Sequence, residues 1–123
     1  MLTDNNYPAN SLAVDTVLSC IAALNKHDYE EARTYVTDDM VFVGVLGAFD
    51  GGDKYTDYIK TKRITYDIHK VFVDGDDVCL LYDLKIAGTP VYGCGWYHTK
   101  EGKITMLRVV FDPRAILENK EGK

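Results

Sequence analysis

The side chains able to do chemistry in this chain are few and widely spaced. Three histidines (His27, His69, His98) and three cysteines (Cys20, Cys79, Cys94) stand among 123 residues. No C-x-x-C motif and no His/Cys pair at metal-ligand spacing occurs, so no metal site is expected. An odd number of scattered cysteines reads as reduced thiols in a cytoplasmic protein. The carboxylate with the most to offer is Asp112, in the run Val110-Phe111-Asp112-Pro113. As an ordinary strand-ending Asp it bonds the following backbone. Pro113 holds it extended, and a bulge would re-aim it inward among Phe111, Trp96 and Tyr92. Desolvation there would raise its pKa, each unit being worth about 1.4 kcal/mol. The other unusual feature is nine tyrosines against one tryptophan and four phenylalanines. Tyrosine joins an apolar body to a polar tip, so the excess points to an interior that also has hydroxyls to place.

The elements that must position these residues follow from periodicity. Apolar residues at helical spacing predict a first helix over 11–26, capped by Asn10 or Ser11. Asp28 caps a second helix, with Glu31 at the capping-box position. Met40 to Leu46 reads as a buried strand, Gly47 to Gly52 as a loop, and Asp53 as the cap of a short third helix. Four strands follow, Ile64–Val73, Val78–Ile86, Val91–Thr99 and Lys103–Phe111, joined by short Gly-containing turns as an antiparallel meander. Glu118 to Lys123 reads as a frayed tail. Helices followed by strands predict an α+β fold, in which three helices cover one face of a curved sheet and leave a cavity. The length fits a single domain over 1–123, able to bury roughly two-thirds of its unfolded surface.

Composition excludes several classes. The formal net charge is −5, and the densest basic stretch is Lys60, Lys62 and Arg63, so no nucleic-acid partner is expected. No leader is read in the polar segment Met1–Asn10, and no apolar run approaches the ~20 residues of a membrane span.

Strand alternation assigns the faces. On the second meander strand, Val78, Leu80, Tyr82 and Leu84 face inward. On the third, Tyr92, Cys94, Trp96 and His98 are placed inward because they carry the bulk, and Gly93, Gly95 and Tyr97 outward. Leu107, Val109 and Phe111 point inward from the last strand, with Arg108 and Val110 outward. On the first, Ile68 and Phe72 compete with Val71 and Val73 for the inner face. The outward glycines mark either sheet curvature or the close approach of another chain. The expected cavity wall is aromatic, with Tyr55 and other helix tyrosines near the mouth, and suits a small hydrophobic or aromatic molecule.

The segments Ala22-Ala23-Leu24-Asn25-Lys26-His27-Asp28, Tyr35-Val36-Thr37-Asp38-Asp39, and Gly102-Lys103-Ile104 running to Phe111-Asp112-Pro113 resemble the nuclear transport factor 2-like superfamily. Within it the chain is most similar to SnoaL-like and ketosteroid-isomerase-like small proteins, over residues 11–113. The resemblance implies a cone-shaped, cystatin-like α+β roll with a pocket inside its mouth, and a homodimer, here through the outer face carrying Gly93, Gly95 and Tyr97. This fold hosts isomerases, cyclases, dehydratases, epoxide hydrolases and non-enzymatic binders, so it does not by itself give the function. Ketosteroid isomerases use an aspartate base with a tyrosine and a protonated aspartic acid. Those positions fall on Gly44, Cys20 and Cys94, none of which can replace them. The dehydratase-like aspartate position falls on Asn25. Asp112 matches the general acid/base of SnoaL-like cyclases. The resemblance therefore implies one of two activities. One is cofactor-free acid/base chemistry by Asp112 with His98, in a pocket lined by Tyr55, Tyr82, Tyr92, Cys94, Trp96, Leu107, Val109 and Phe111. The other is a non-catalytic binder or dimeric interaction module.

Overall fold

The computed structural model describes residues 11–121; Met1–Asn10, with Tyr7 and the reading of that segment, lies outside them. Helix α1 (Leu12–Asn25) starts where Ser11 Oγ accepts a hydrogen bond from the Val14 amide at 3.1 Å. Its Val14, Val17, Ile21 and Leu24 are buried. Asp28 caps α2 (Tyr29–Arg33) through the Glu31 amide, as the sequence pattern requires. Helix α3 (Gly52–Lys62) differs from expectation at its start. It follows Gly51 without a side-chain cap, and Asp53 instead accepts from Arg33 Nε at 2.7 Å. The reason is proximity: a Cβ on Gly52 would lie 2.5 Å from the Thr37 carbonyl oxygen, so α3 begins pressed against a strand and under the Arg33 guanidinium.

Six strands form one sheet: β1 (Val36–Gly44), β2 (Gly47–Asp50), β3 (Ile64–Asp74), β4 (Asp77–Ile86), β5 (Thr89–Lys100) and β6 (Lys103–Phe111), in the order β2-β1-β6-β5-β4-β3. β3 to β6 are the expected antiparallel meander. Its Ala87-Gly88 and Glu101-Gly102 turns have positive φ at both residues (51° and 90°, 53° and 80°), the backbone that matches strand twist in tight hairpins. β1 joins the meander by running parallel to β6. Two segments correct the sequence reading. Gly47–Asp50, expected as loop, is a strand paired to β1, held by the stacking of Phe49 on Phe42 at 4.8 Å. The expected tail begins inside a fourth helix, α4 (Arg114–Glu121).

Register shifts bend this sheet. The shift at His69 in β3 reconciles both candidate faces of that strand: Ile68 before it and Val71 and Val73 after it all pack on the core, while Phe72 is exposed. On β4, Val78, Leu80, Tyr82 and Leu84 are buried as expected. On β5 the expected parity is inverted. Val91, Gly93, Gly95, Tyr97 and Thr99 are buried, whereas Tyr92 is 59% and Trp96 45% exposed, and Cys94 and His98 are half-exposed on the same outer face. Gly93, Gly95 and Tyr97 therefore cannot form an outer contact surface. The cause lies in the register, which pairs Tyr82 with Gly93 and Leu80 with Gly95. The Tyr82 ring lies along β5, and a Cβ on Gly95 would sit 2.1 Å from its hydroxyl oxygen. The inner face of β5 gives up its own bulk to take that ring.

Candidate functional site

The open end of the cone lies between the β1–β2 hairpin, α3 and the end of β6. A cavity of about 150 Å³ is lined there by Phe42, Phe49, Tyr58, Phe111 and the stretch Gly44–Ala48. It shares Phe42, Tyr58 and Phe111 with a deeper, smaller void of about 30 Å³ that reaches Tyr66, Tyr82, Leu84, Leu107 and Val109. Three rings form the entrance: Phe42, Phe49 and Tyr58 stand with centroids 4.8, 5.3 and 5.5 Å apart. Such distances are those of offset and tilted aromatic pairs.

Behind this apolar entrance lies a cluster of phenols. Tyr66 and Tyr82 stack obliquely at 5.4 Å, and the Tyr82 and Tyr97 hydroxyls share a 3.0 Å hydrogen bond. Tyr55, from α3, sits 6.0 Å behind the Phe42 ring. Its hydroxyl is buried with no hydrogen-bond partner of full geometry, and after burial itself the Tyr66 phenol is the strongest influence on its titration. Burial pushes the pKa values of Tyr55, Tyr66, Tyr82 and Tyr97 up, so all four stay neutral over the ordinary pH range. The Cys20 thiol is likewise raised by burial, to about 12, and points at the Ala32 carbonyl. Asn25 fixes the β3 wall of the cluster. Its side-chain amide donates to the Tyr66 carbonyl at 2.9 Å and accepts from the Tyr66 amide at 2.8 Å. This residue stands where the resemblance expects a catalytic aspartate, and it works here as a substitute ladder partner.

Among the residues expected in the pocket, Phe111 lines both cavities, Tyr82, Leu107 and Val109 line only the smaller, deeper one, and Tyr55 is buried behind Phe42. Tyr92, Cys94, Trp96 and His98 lie on the opposite side of the sheet. Asp112 does not turn inward. Its carboxylate accepts from the Arg114 amide at 3.0 Å and from the Arg114 guanidinium, which holds its pKa below the ordinary carboxylate range rather than raising it. Pro113 and the start of α4 turn the chain so that Asp112 serves the following backbone. Tyr58 stands at the mouth, where helix tyrosines were expected, whereas Phe42, Phe49 and Tyr66 were missed by sequence reasoning. For Phe42 a signal existed: Met40 and Phe42 alternate with Val41 and Val43 in a strand read as buried on both faces.

Most of the remaining reactive side chains gather on the outer face. Asp77 accepts from Trp96 Nε1 at 2.9 Å and sits 2.8 Å from His98 Nδ1; the first contact, then the second, holds its pKa below the ordinary 3.8. The Cys79 and Cys94 sulfurs lie 3.2 Å apart. Asp67 and Asp83 are directly paired across β3 and β4, His69 Nε2 reaches Asp83 at 3.1 Å, and one ligand atom from each residue falls within 4.8 Å of the others. Among the described residues this cluster alone has the composition and spacing to hold a cation. Beside the pocket, the described residues place no carboxylate or imidazole in its lining.

No helix among the described residues is long and apolar enough to cross a membrane. No curated protein matches the chain significantly. Among solved structures, a nuclear transport factor 2-like protein of unknown function from Cytophaga hutchinsonii is 36% identical, with a TM-score of 0.84 over 86% of this chain and 95% of its own. An epoxide hydrolase of the LEH-like type from Mycobacterium tuberculosis shares the fold at 22% identity (TM-score 0.72, covering 94% of this chain and 100% of its own). TerC, crystallised with polyporic acid, shares it at 18% identity (TM-score 0.77, covering 90% and 99%). The model of the SnoaL-like domain matches residues 17–107. By sequence and by fold, the chain belongs to the SnoaL-like family of the nuclear transport factor 2-like superfamily.

Proposed function

We propose that this protein holds a small apolar or single-ring aromatic molecule in the mouth of its cone. The observation that carries this reading is the lining. An aromatic entrance leads to a floor of neutral phenols, with no ionisable carboxylate, imidazole or amine among the described lining residues. A volume of about 150 Å³ is that of an apolar cavity able to take benzene. Tyr58 in the cavity wall, with Tyr66 and Tyr82 lining the void behind it, supplies the few hydroxyls that orient a ligand in an otherwise apolar pocket. Asp112, bonded to Arg114 outside the cone, stands apart from this site. The test is titration with p-cresol, followed by amide chemical shifts. Shifts should centre on Phe42, Phe49, Tyr58 and Phe111, and Phe111→Ala should weaken binding about tenfold, the loss of roughly 1.4 kcal/mol. Binding that Phe111→Ala leaves intact, or no binding of any small aromatic, would sink the reading.

We propose further that a second copy of the chain covers the outer face of the sheet. Tyr92 and Val110, each 59% exposed, and Trp96, 45% exposed, sit together on β5 and β6 around Cys94. An apolar cluster of this kind on one sheet face is the surface a C₂ partner would bury. Sedimentation velocity tests it: a dimer is expected, and a monomer at every concentration would overturn it.

A further inference from the structure

We propose that Cys79 and Cys94 are a reversible thiol–disulfide couple on the outer face of the sheet, oxidised by small disulfides such as oxidised glutathione. The two sulfurs already meet at 3.2 Å, from adjacent antiparallel strands, and both side chains are half-exposed. A disulfide needs about 2.05 Å, so closure asks the sulfurs to approach by roughly 1.2 Å, through side-chain rotation and a small shift of the two strands. The third cysteine, Cys20, is fully buried under α2 and cannot compete. The register sets the character of the bond. Cys79 pairs directly with Trp96, and Cys94 with Leu81, so the two cysteines are diagonal neighbours rather than facing ones. Diagonal positions stand further apart than facing positions in a regular sheet. A bond between them carries strain, and in the monomer, where this face is uncovered, it is also accessible; strained, accessible disulfides are the readily reduced, regulatory kind.

The exchange balances as follows. A protein thiol loses its proton, and its thiolate attacks oxidised glutathione, forming a mixed disulfide and releasing one glutathione thiolate. The second protein thiolate attacks the protein sulfur of that mixed disulfide and releases the other. Two protein thiols are oxidised, one glutathione disulfide is reduced, and the two protons end on the two glutathiones. Burial, and then the neighbouring Cys94, push the Cys79 thiol up to about 11, so the exchange should quicken as pH rises towards that value.

The experiment equilibrates the full chain with oxidised glutathione, at concentrations dilute enough to keep it monomeric, then alkylates and maps peptides by mass. The expected product is a Cys79–Cys94 crosslink with Cys20 left as a thiol, reversed completely by reduced glutathione. In Cys94→Ser the same treatment should leave a glutathione adduct on Cys79, because no resolving thiol remains. The proposal is overturned if separate glutathione adducts persist on both cysteines of the natural chain, if both stay free, or if the crosslink forms but resists reduced glutathione.

Discussion

Tyr55 carries the one buried side-chain polar atom, among the described residues, without a hydrogen-bond partner. Leaving such a group unsatisfied costs about 1–3 kcal/mol. Tyr55→Phe removes the hydroxyl and keeps the ring against Phe42, but also takes a polar neighbour from Tyr66, so it should raise stability by less than about 1 kcal/mol. In urea unfolding this appears as a higher midpoint with an unchanged slope. A second residue-scale outcome concerns Asp77. Its carboxyl binds its proton less readily folded than unfolded, so its contribution is present above the ordinary pKa and fades as pH falls through the lowered one. With Asp77 partly exposed, solvent screening keeps that contribution below about 1 kcal/mol. Trp96, the single tryptophan, donates to this carboxylate and reports it directly. Its fluorescence should step on acidification with a midpoint below 3.8, and Asp77→Asn should abolish the step. At this scale the tyrosine excess was legible as a mixed interior, since Tyr55, Tyr82 and Tyr97 are fully buried. The fate of Asp112 was not, because it depends on Arg114 and on a helix whose start the sequence did not reveal.

Strand β5 shows what alternation can and cannot decide. Alternation defines two sets of residues; which set faces the core depends on what lies opposite. Placing bulk inward fails where a neighbouring side chain fills the same space, and here Tyr82 of β4 fills it. Gly95→Ala should therefore destabilise the fold by about 1–3 kcal/mol, through displacement of the Tyr82 ring and loss of its bond to Tyr97. Its thermal midpoint, compared with that of Gly75→Ala at an exposed turn, separates crowding from a general glycine effect, since Gly75 meets nothing nearby but has φ of 62°. Other elements were legible because their signals are local. Ser11 and Asp28 cap α1 and α2 as their spacing implies, and the meander follows its glycine turns. β2 was not, because its only apolar anchor is Phe49, stacked on a ring from another strand.

For the whole molecule, the inverted parity of β5 moves Tyr92, Cys94, Trp96 and His98 from the expected pocket to the opposite face. Inside and outside consequently divide the labour: the cone interior is aromatic and neutral, and the outer face holds the ionisable and redox-capable groups. Self-association through that outer face should appear as a dimer in sedimentation velocity, and Val110→Lys should shift the boundary to monomer. Each copy carries a formal charge of −5, so added salt should tighten the dimer by screening repulsion. A natural chain that sediments as monomer at every concentration would refute the association. The parallel pairing of β1 with β6 has a consequence in time rather than space. β1 is made early and lies in the sheet between a short hairpin partner and the last strand synthesised. While the chain emerges from a ribosome, β3, β4 and β5 can pair locally, but Phe42 cannot meet Leu107 until translation has passed β6. The mouth of the cone is thus assembled last, by the final strand of the sheet, and nascent chains ending before β6 should leave the first half of the protein exposed to chaperones.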